Sequence, residues 1–202
     1  MFVKRLEELV QLVKECVYTT HEGVIEEESA LQLAHSLLHD TEEAKGIVYV
    51  IGNGGSAGIA SHFCTDLLKA LGIPASTLVD SNLLTCIGND LGYENVFSKP
   101  LQTLMHSQDL LVAISSSGKS PNIINAADVA REKGAKVITL SGFANNNPLR
   151  TKGDLNFWLK ASDYGLVETG HFSLLHTIVD SWKDRKMASY KSLLQSMMTH
   201  AH

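Results

Sequence analysis

Apolar and polar positions follow two different periods along this chain. Leu6, Leu9, Val10, Val13 and Val17 recur at helical spacing among Lys and Glu, which predicts an amphipathic first helix. A second helix is predicted over 26–39, with Leu31, Ala34, Leu37 and Leu38 on one side. From Ile47 onward short aliphatic runs predict strands at 47–51, 75–79, 110–115, 135–140 and 155–159. Between and after them helices are predicted at 57–70, 93–105, 120–133 and 166–186, with a short one near 83–88. Strands that alternate with helices imply right-handed crossovers and a buried parallel sheet. The expected fold is α/β, a three-layer sandwich with a five-stranded parallel sheet plus two N-terminal helices. Those two helices precede the first strand and cannot be a βαβ crossover. They either cap the domain or pack on another subunit, and the second choice is favoured. The expected boundaries are a helical pair at 1–45, an α/β domain at 46–190 and a flexible, polar, Met-rich tail at 191–202.

Two strand ends carry turns dense in small polar residues. Gly52-Asn53-Gly54-Gly55-Ser56 follows the run 47–51, and Ser115-Ser116-Ser117-Gly118-Lys119-Ser120 follows 110–114. Small residues there let N–H groups and hydroxyls face an anion, and the following helix N-terminus adds its dipole. Two such elbows point to a phosphorylated small molecule. The first also satisfies a dinucleotide fingerprint, Gly52-x-Gly54-x-x-Ala57, with Asp80 placed where a ribose-binding carboxylate would stand. That NAD-binding alternative leaves the second elbow unexplained. The second elbow ends like a P-loop, but position 113 is Ala where that motif needs Gly.

Composition narrows the partners. The 202 residues are long enough for one α/β domain, and a net charge of −5 with 6% aromatics offers no basic stripe for nucleic acid. No apolar run approaches the roughly 20 residues of a membrane span. Lys4, Arg5, Glu7 and Glu8 interrupt any leader-like segment, so a soluble cytoplasmic protein is expected. Cys16, Cys64 and Cys86 have no pairing or zinc-binding spacing, and Cys64 reads as a small buried thiol.

His62 and Asp66 are four apart on the helix opened by the first elbow, so they share a face and could bind a metal or form an acid/base unit. The last long helix carries Glu168, His171 and His176 among Leu and Val. Glu168 and His176 are separated by about 12 Å along a continuous helix and point about 80° apart. Either Glu168 lies in an irregular lead-in, or the two groups serve a site through different subunits.

Taken together these residues resemble the sugar isomerase (SIS) domain family, and within it the phosphoheptose isomerase group. The resemblance rests on the two elbows, His62-Phe63, Cys86-Ile87-Gly88-Asn89-Asp90 with Gly92-Tyr93 and Val96-Phe97, the stretch 131–138, and His171 with His176. It implies a flavodoxin-like fold and a homotetramer with active sites at subunit interfaces. It also implies conversion of a ketose phosphate to an aldose phosphate through an enediol, often with Zn2+ nearby. Sedoheptulose 7-phosphate, giving glycero-manno-heptose 7-phosphate, is the expected substrate. By the same resemblance Asn53, Gly54, Gly55, Ser56, Asn89, Asp90 and Glu168 contact substrate, and Ser115, Ser116, Ser117 and Ser120 hold the phosphate. His62, Asp66, Glu168 and His176 match metal-ligand positions, with Asp66 and His176 in the proton-transfer roles.

Three positions depart from the family pattern. Its Glu base falls at Asp66, one methylene shorter; its Gln ligand falls at Glu168; and an Asp just ahead of that Gln falls at Gly165. The segment 163–168 instead resembles SIS proteins of surface-sugar pathways. A non-catalytic SIS module that binds a phosphosugar or a protein such as a replication initiator is the alternative. Relatives of that kind typically lack the last histidine, which this chain keeps as His176.

Overall fold

A computed structural model describes the backbone of residues 1–199 and the side chains of residues 1–184. The chain runs α1 (Phe2–Lys14), β1 (Val17–Thr20), β2 (Gly23–Ile25), α2 (Glu27–Glu43), β3 (Val48–Ile51) and α3 (Gly55–Asp66), the last ending in a π-helical turn at Leu67–Leu71. It continues with β4 (Ala75–Ser76), α4 (Ser81–Leu91), a 3-10 turn at Tyr93–Asn95, α5 (Ser98–Leu104), β5 (Leu110–Ser115) and α6 (Pro121–Glu132). β6 (Lys136–Ser141), a 3-10 turn at Pro148–Thr151, β7 (Leu155–Trp158) and α7 (Tyr164–Thr199) complete it. The tail expected at 191–202 is therefore helical in backbone to Thr199, and residues 200–202 lie outside the described residues.

One sheet has the order β2-β1-β7-β6-β5-β3-β4. The five strands from β7 to β4 are parallel, as expected. The sheet nevertheless has seven strands, because β1 and β2 form an antiparallel hairpin on the edge of β7. The amphipathic first helix stops at Lys14, and Val17 opens a strand instead of a further turn. Val17, Tyr18, Thr19 and Thr20 suit a pleated surface, and Tyr18 pairs with Phe157 across the strands and meets its ring edge-on at 5.4 Å.

Alternation along the buried strands divides the core into two layers. Val48, Val50, Leu110, Val112 and Ile114 face α2, α3 and α7, while Tyr49, Ile51, Leu111 and Ala113 face α4, α5 and α6. Ala30, Ala34, Leu37 and Leu38 of α2 belong to the first layer, so this helix caps its own domain. The first helix behaves differently: Leu12 is buried, but Phe2, Leu6 and Val10 are 89%, 61% and 54% exposed along one stripe. No helix among the described residues is long and apolar enough to cross a membrane.

Counting only the parallel strands in chain order, the sheet reads 2-1-3-4-5, with the reversal between β3 and β5. Crossovers leave the two neighbouring strands toward opposite faces there, which opens a crevice at their carboxyl ends. Both elbows sit at that crevice.

Candidate phosphosugar site

A cavity of about 150 Å³ at the switch point is lined by Asn53, Ser56, Ile114, Ser115, Ser116, Ser117, Ser120, Tyr164 and Glu168. Backbone hydrogen bonds within the elbow and from the end of β6 fix the serine elbow. The Gly118 N–H donates to Ser115 O at 2.9 Å, and the Gly142 N–H donates to Ser116 O at 2.9 Å. Ser115 and Ser120 share a hydroxyl hydrogen bond at 3.1 Å, and Ser120, the residue just ahead of α6, makes no side-chain cap to that helix. Ser116 is buried and its hydroxyl has no hydrogen-bond partner among the described residues. A buried hydroxyl at the wall of a polar cavity and beside a helix N-terminus is built to donate to an anion.

Asn147, which the sequence reading did not single out, supports this elbow from behind. Its amide nitrogen donates to Ser141 Oγ, Gly142 O and Ala144 O at 3.2, 3.1 and 2.9 Å. Its oxygen accepts from the Arg150 N–H at 3.1 Å. Only the Asn-Pro at 147–148, a turn signal, marked it in the sequence.

The first elbow brings Asn53 and the start of α3 to the same cavity. Gly54 takes φ 53°, and Gly55 lies so close to Glu168 that a Cβ there would stand 2.2 Å from its carboxylate. Glu168 thus meets the N-terminal end of α3, where the helix dipole favours a negative charge. It lies on the regular helix α7, not in an irregular lead-in.

A second cluster lies farther along α3. His62 Nε2 and His176 Nδ1 stand 3.3 and 3.6 Å from the same oxygen of Asp66, Oδ2. The two imidazole rings are 4.8 Å apart, and Phe172 packs against both. Ligand atoms of the three residues lie within 4.8 Å of one another. Two nitrogens and a carboxylate fit Zn2+, and three protein ligands with an open fourth position is the arrangement of a catalytic zinc. The structure gathers His62, Asp66 and His176 from one chain and leaves Glu168 at the other cavity.

Other expected residues fall outside both clusters. Asn89 and Asp90 sit on the exposed last turn of α4, where Asn89 donates to Asp90 at 2.8 Å. Asp80, the carboxylate required by the dinucleotide alternative, accepts the Leu83 N–H at 2.9 Å as the cap of α4. His171 is fully buried with its Nε2 3.1 Å from Ser141 O, and burial pushes its pKa down to about 4. It ties α7 to β6 as a neutral ring. Burial likewise pushes the Cys64 thiol up to about 12, which leaves no thiolate at neutral pH.

Fold and site together define a doubly wound domain with a serine-lined cavity at its switch point and a separate His–Asp–His group. The family model for the SIS domain matches residues 13–142. A phosphoheptose isomerase from Geobacter sp. (strain M21) is 35% identical over 183 residues, covering 87% of this chain and 94% of that protein. One from Campylobacter concisus (strain 13826) is 37% identical over 155 residues, covering 74% and 82%. The structure of phosphoheptose isomerase GmhA from Neisseria gonorrhoeae superposes with a TM-score of 0.77 at 29% identity, covering 90% of this chain and 97% of that one. The chain belongs to the SIS domain family, in its phosphoheptose isomerase group.

Proposed function

We propose that this protein is a phosphosugar isomerase that interconverts sedoheptulose 7-phosphate and glycero-manno-heptose 7-phosphate through an enediol. The observation that carries the reading is the unpartnered, buried Ser116 hydroxyl in a serine-lined cavity, in a chain that also gathers His62, Asp66 and His176. The phosphate is held by Ser115, Ser116, Ser117 and Ser120 at the start of α6. Its binding energy fixes the sugar carbons. Asp66 takes the proton from C1 of the ketose and returns it to C2, while His176 moves the hydroxyl proton between the two oxygens. Both histidines contact Oδ2, so Oδ1 is the oxygen assigned to the carbon-bound proton. A zinc ion held by His62, Asp66 and His176 would polarise the sugar oxygens.

Ten residues of α3 separate Ser56 from Asp66, roughly 15 Å of helix, whereas a base must reach its proton directly or through one water. We infer that the cradle of one copy is completed by the His–Asp group of another, within a homotetramer. The exposed stripe of Phe2, Leu6 and Val10 supports a role for the first helix in assembly. Three free cysteines and a soluble sugar phosphate fit a reducing cytoplasm.

Incubation with sedoheptulose 7-phosphate in heavy water tests the reading. Deuterium should enter at the carbon next to the carbonyl, and the aldose phosphate should accumulate. No deuterium uptake, with zinc added or chelated, would overturn it.

A further inference from the structure

We propose that Asn122 and Tyr93 are positioning residues that hold the Asn53 amide as a donor-only group aimed at the substrate oxygen that becomes the enediolate. The proposal rests on the isomerase reading above. Asn53 follows β3 and Asn122 follows the serine elbow after β5, so their contact joins the two elbows across the switch point.

Hydrogen-bond chemistry fixes the orientation step by step. The Ile123 N–H can only donate, and it lies 3.1 Å from the Asn122 side-chain oxygen, Oδ1. The Asn122 amide nitrogen therefore faces Asn53, and it donates to Asn53 Oδ1 at 2.8 Å. Asn53 Nδ2 donates back to Asn122 Oδ1 at 3.0 Å. The Tyr93 hydroxyl makes a second contact with Asn53 Oδ1, at 3.1 Å. Both lone pairs of that oxygen are then occupied, and one N–H of the Asn53 amide is left over.

Asn53 lines the cavity, so this remaining N–H is what the side chain offers a ligand. A donor suits a carbonyl oxygen and suits it better as negative charge develops, which is how preorganised donors lower a barrier. A flipped amide would turn an oxygen toward the developing oxyanion and raise the barrier. Asn122 is 1% exposed, so water does not compete for its amide. Tyr93 reaches over from the segment that follows α4. It couples the helix bearing Asn89 and Asp90 to the same amide.

A purely structural amide pair would show itself in stability and ground-state binding. An orienting pair acts on turnover and on transition-state affinity. Asn122→Leu keeps the size, adds no charge beside the phosphate and leaves the Ile123 N–H its bond to Ser120 O, but it can no longer donate to Asn53 Oδ1. It should lower kcat about 100-fold, as loss of one oxyanion donor does. KM for sedoheptulose 7-phosphate and Kd for inorganic phosphate should stay within about threefold of wild type, since the serine cradle is untouched. Affinity for a phosphorylated hydroxamate that mimics the enediolate should fall in parallel with kcat. Tyr93→Phe, at an exposed position where folding is secure, should lower kcat about tenfold with the same split, because one of two restraints remains. An active wild type matched in kcat by both variants would overturn this proposal alone. So would variants in which kcat and phosphate affinity fall together. A wild type that exchanges no deuterium would overturn the isomerase reading and this proposal with it.

Discussion

Nδ1 of His176, on α7, lies 3.6 Å from Oδ2 of Asp66, on α3. A carboxylate beside an imidazole on a facing helix is a ready proton carrier, and His62 reaches the same oxygen at 3.3 Å. Asp66→Asn preserves shape and removes the proton acceptor. It should lower kcat on the order of 10²- to 10⁴-fold, the range of a lost general base, while KM changes little. Steady-state kinetics and heavy-water exchange check it, and an unchanged exchange rate would remove Asp66 from proton transfer. Asp66→Glu asks a separate question. If the shorter side chain misplaces the base by about 1 Å, the variant should gain activity, since such misplacements cost up to 10²-fold.

The Ser116 hydroxyl gives stability and binding opposite signs. Unpartnered and buried in the free chain, it carries a desolvation cost of about 1–3 kcal/mol. Ser116→Ala removes the stranded group, so the ligand-free protein should melt about 2–4 °C higher for each kcal/mol regained. The same change should shrink the stabilisation that added inorganic phosphate confers. A melting rise that phosphate enlarges equally in both proteins would show that Ser116 does not touch the anion.

Local chemistry explains what the sequence made legible. β3 and β5 declare themselves because every one of their residues is buried, and each is followed at once by its turn. The cradle serines, Asn53 and the His62–Asp66 pair are also readable, since turn composition and an i,i+4 spacing are short-range signals. The β1–β2 hairpin was hidden because Val17 falls in phase with Val10 and Val13. Its strand character is secured by pairing Val17, Tyr18 and Thr19 with Trp158, Phe157 and Asn156, far along the chain. The helpers of the site are hidden for the same reason. Tyr93 and Asn122 reach Asn53 across 40 and 69 residues, and Asn147 matters only because the chain folds it behind Gly118. The separation of Glu168 from His176, by contrast, followed from helix geometry alone.

Gly118 fixes the curvature of the serine elbow. Its φ is +64°, and a Cβ would stand 1.9 Å from Asn147 Oδ1. Asn147 cannot retreat without breaking its bonds to Ser141, Gly142 and Ala144. Gly118→Ala should therefore destabilise the fold by about 1–3 kcal/mol, the cost of a strained left-handed residue with a close contact. Phosphate affinity should fall with it. Urea unfolding of the two proteins measures the first effect, and an unchanged midpoint would mean that the elbow relaxes freely.

His171 makes stability depend on pH from inside the core. The ring is fully buried against Ser141 O, and burial lowers its pKa from 6.5 to about 4. The unfolded chain binds this proton near pH 6.5 and the folded chain resists it until about pH 4. The contribution is therefore fully present above pH 6.5 and is lost as pH falls through the window down to about 4. Across the whole window it amounts to about 3 kcal/mol, from 1.36 kcal/mol for each pKa unit. His171→Gln can still donate a side-chain N–H toward Ser141 O and does not titrate. Its unfolding free energy should fall by about 2–3 kcal/mol less than that of wild type between pH 7.5 and 4.5. Because the Gly142 N–H bonds Ser116 O, acid opening at His171 should also loosen the phosphate elbow before the rest of the sheet unfolds. Chemical denaturation at a series of pH values, with phosphate binding followed in parallel, reads both effects. Equal pH slopes in the two proteins would exclude His171 as the source.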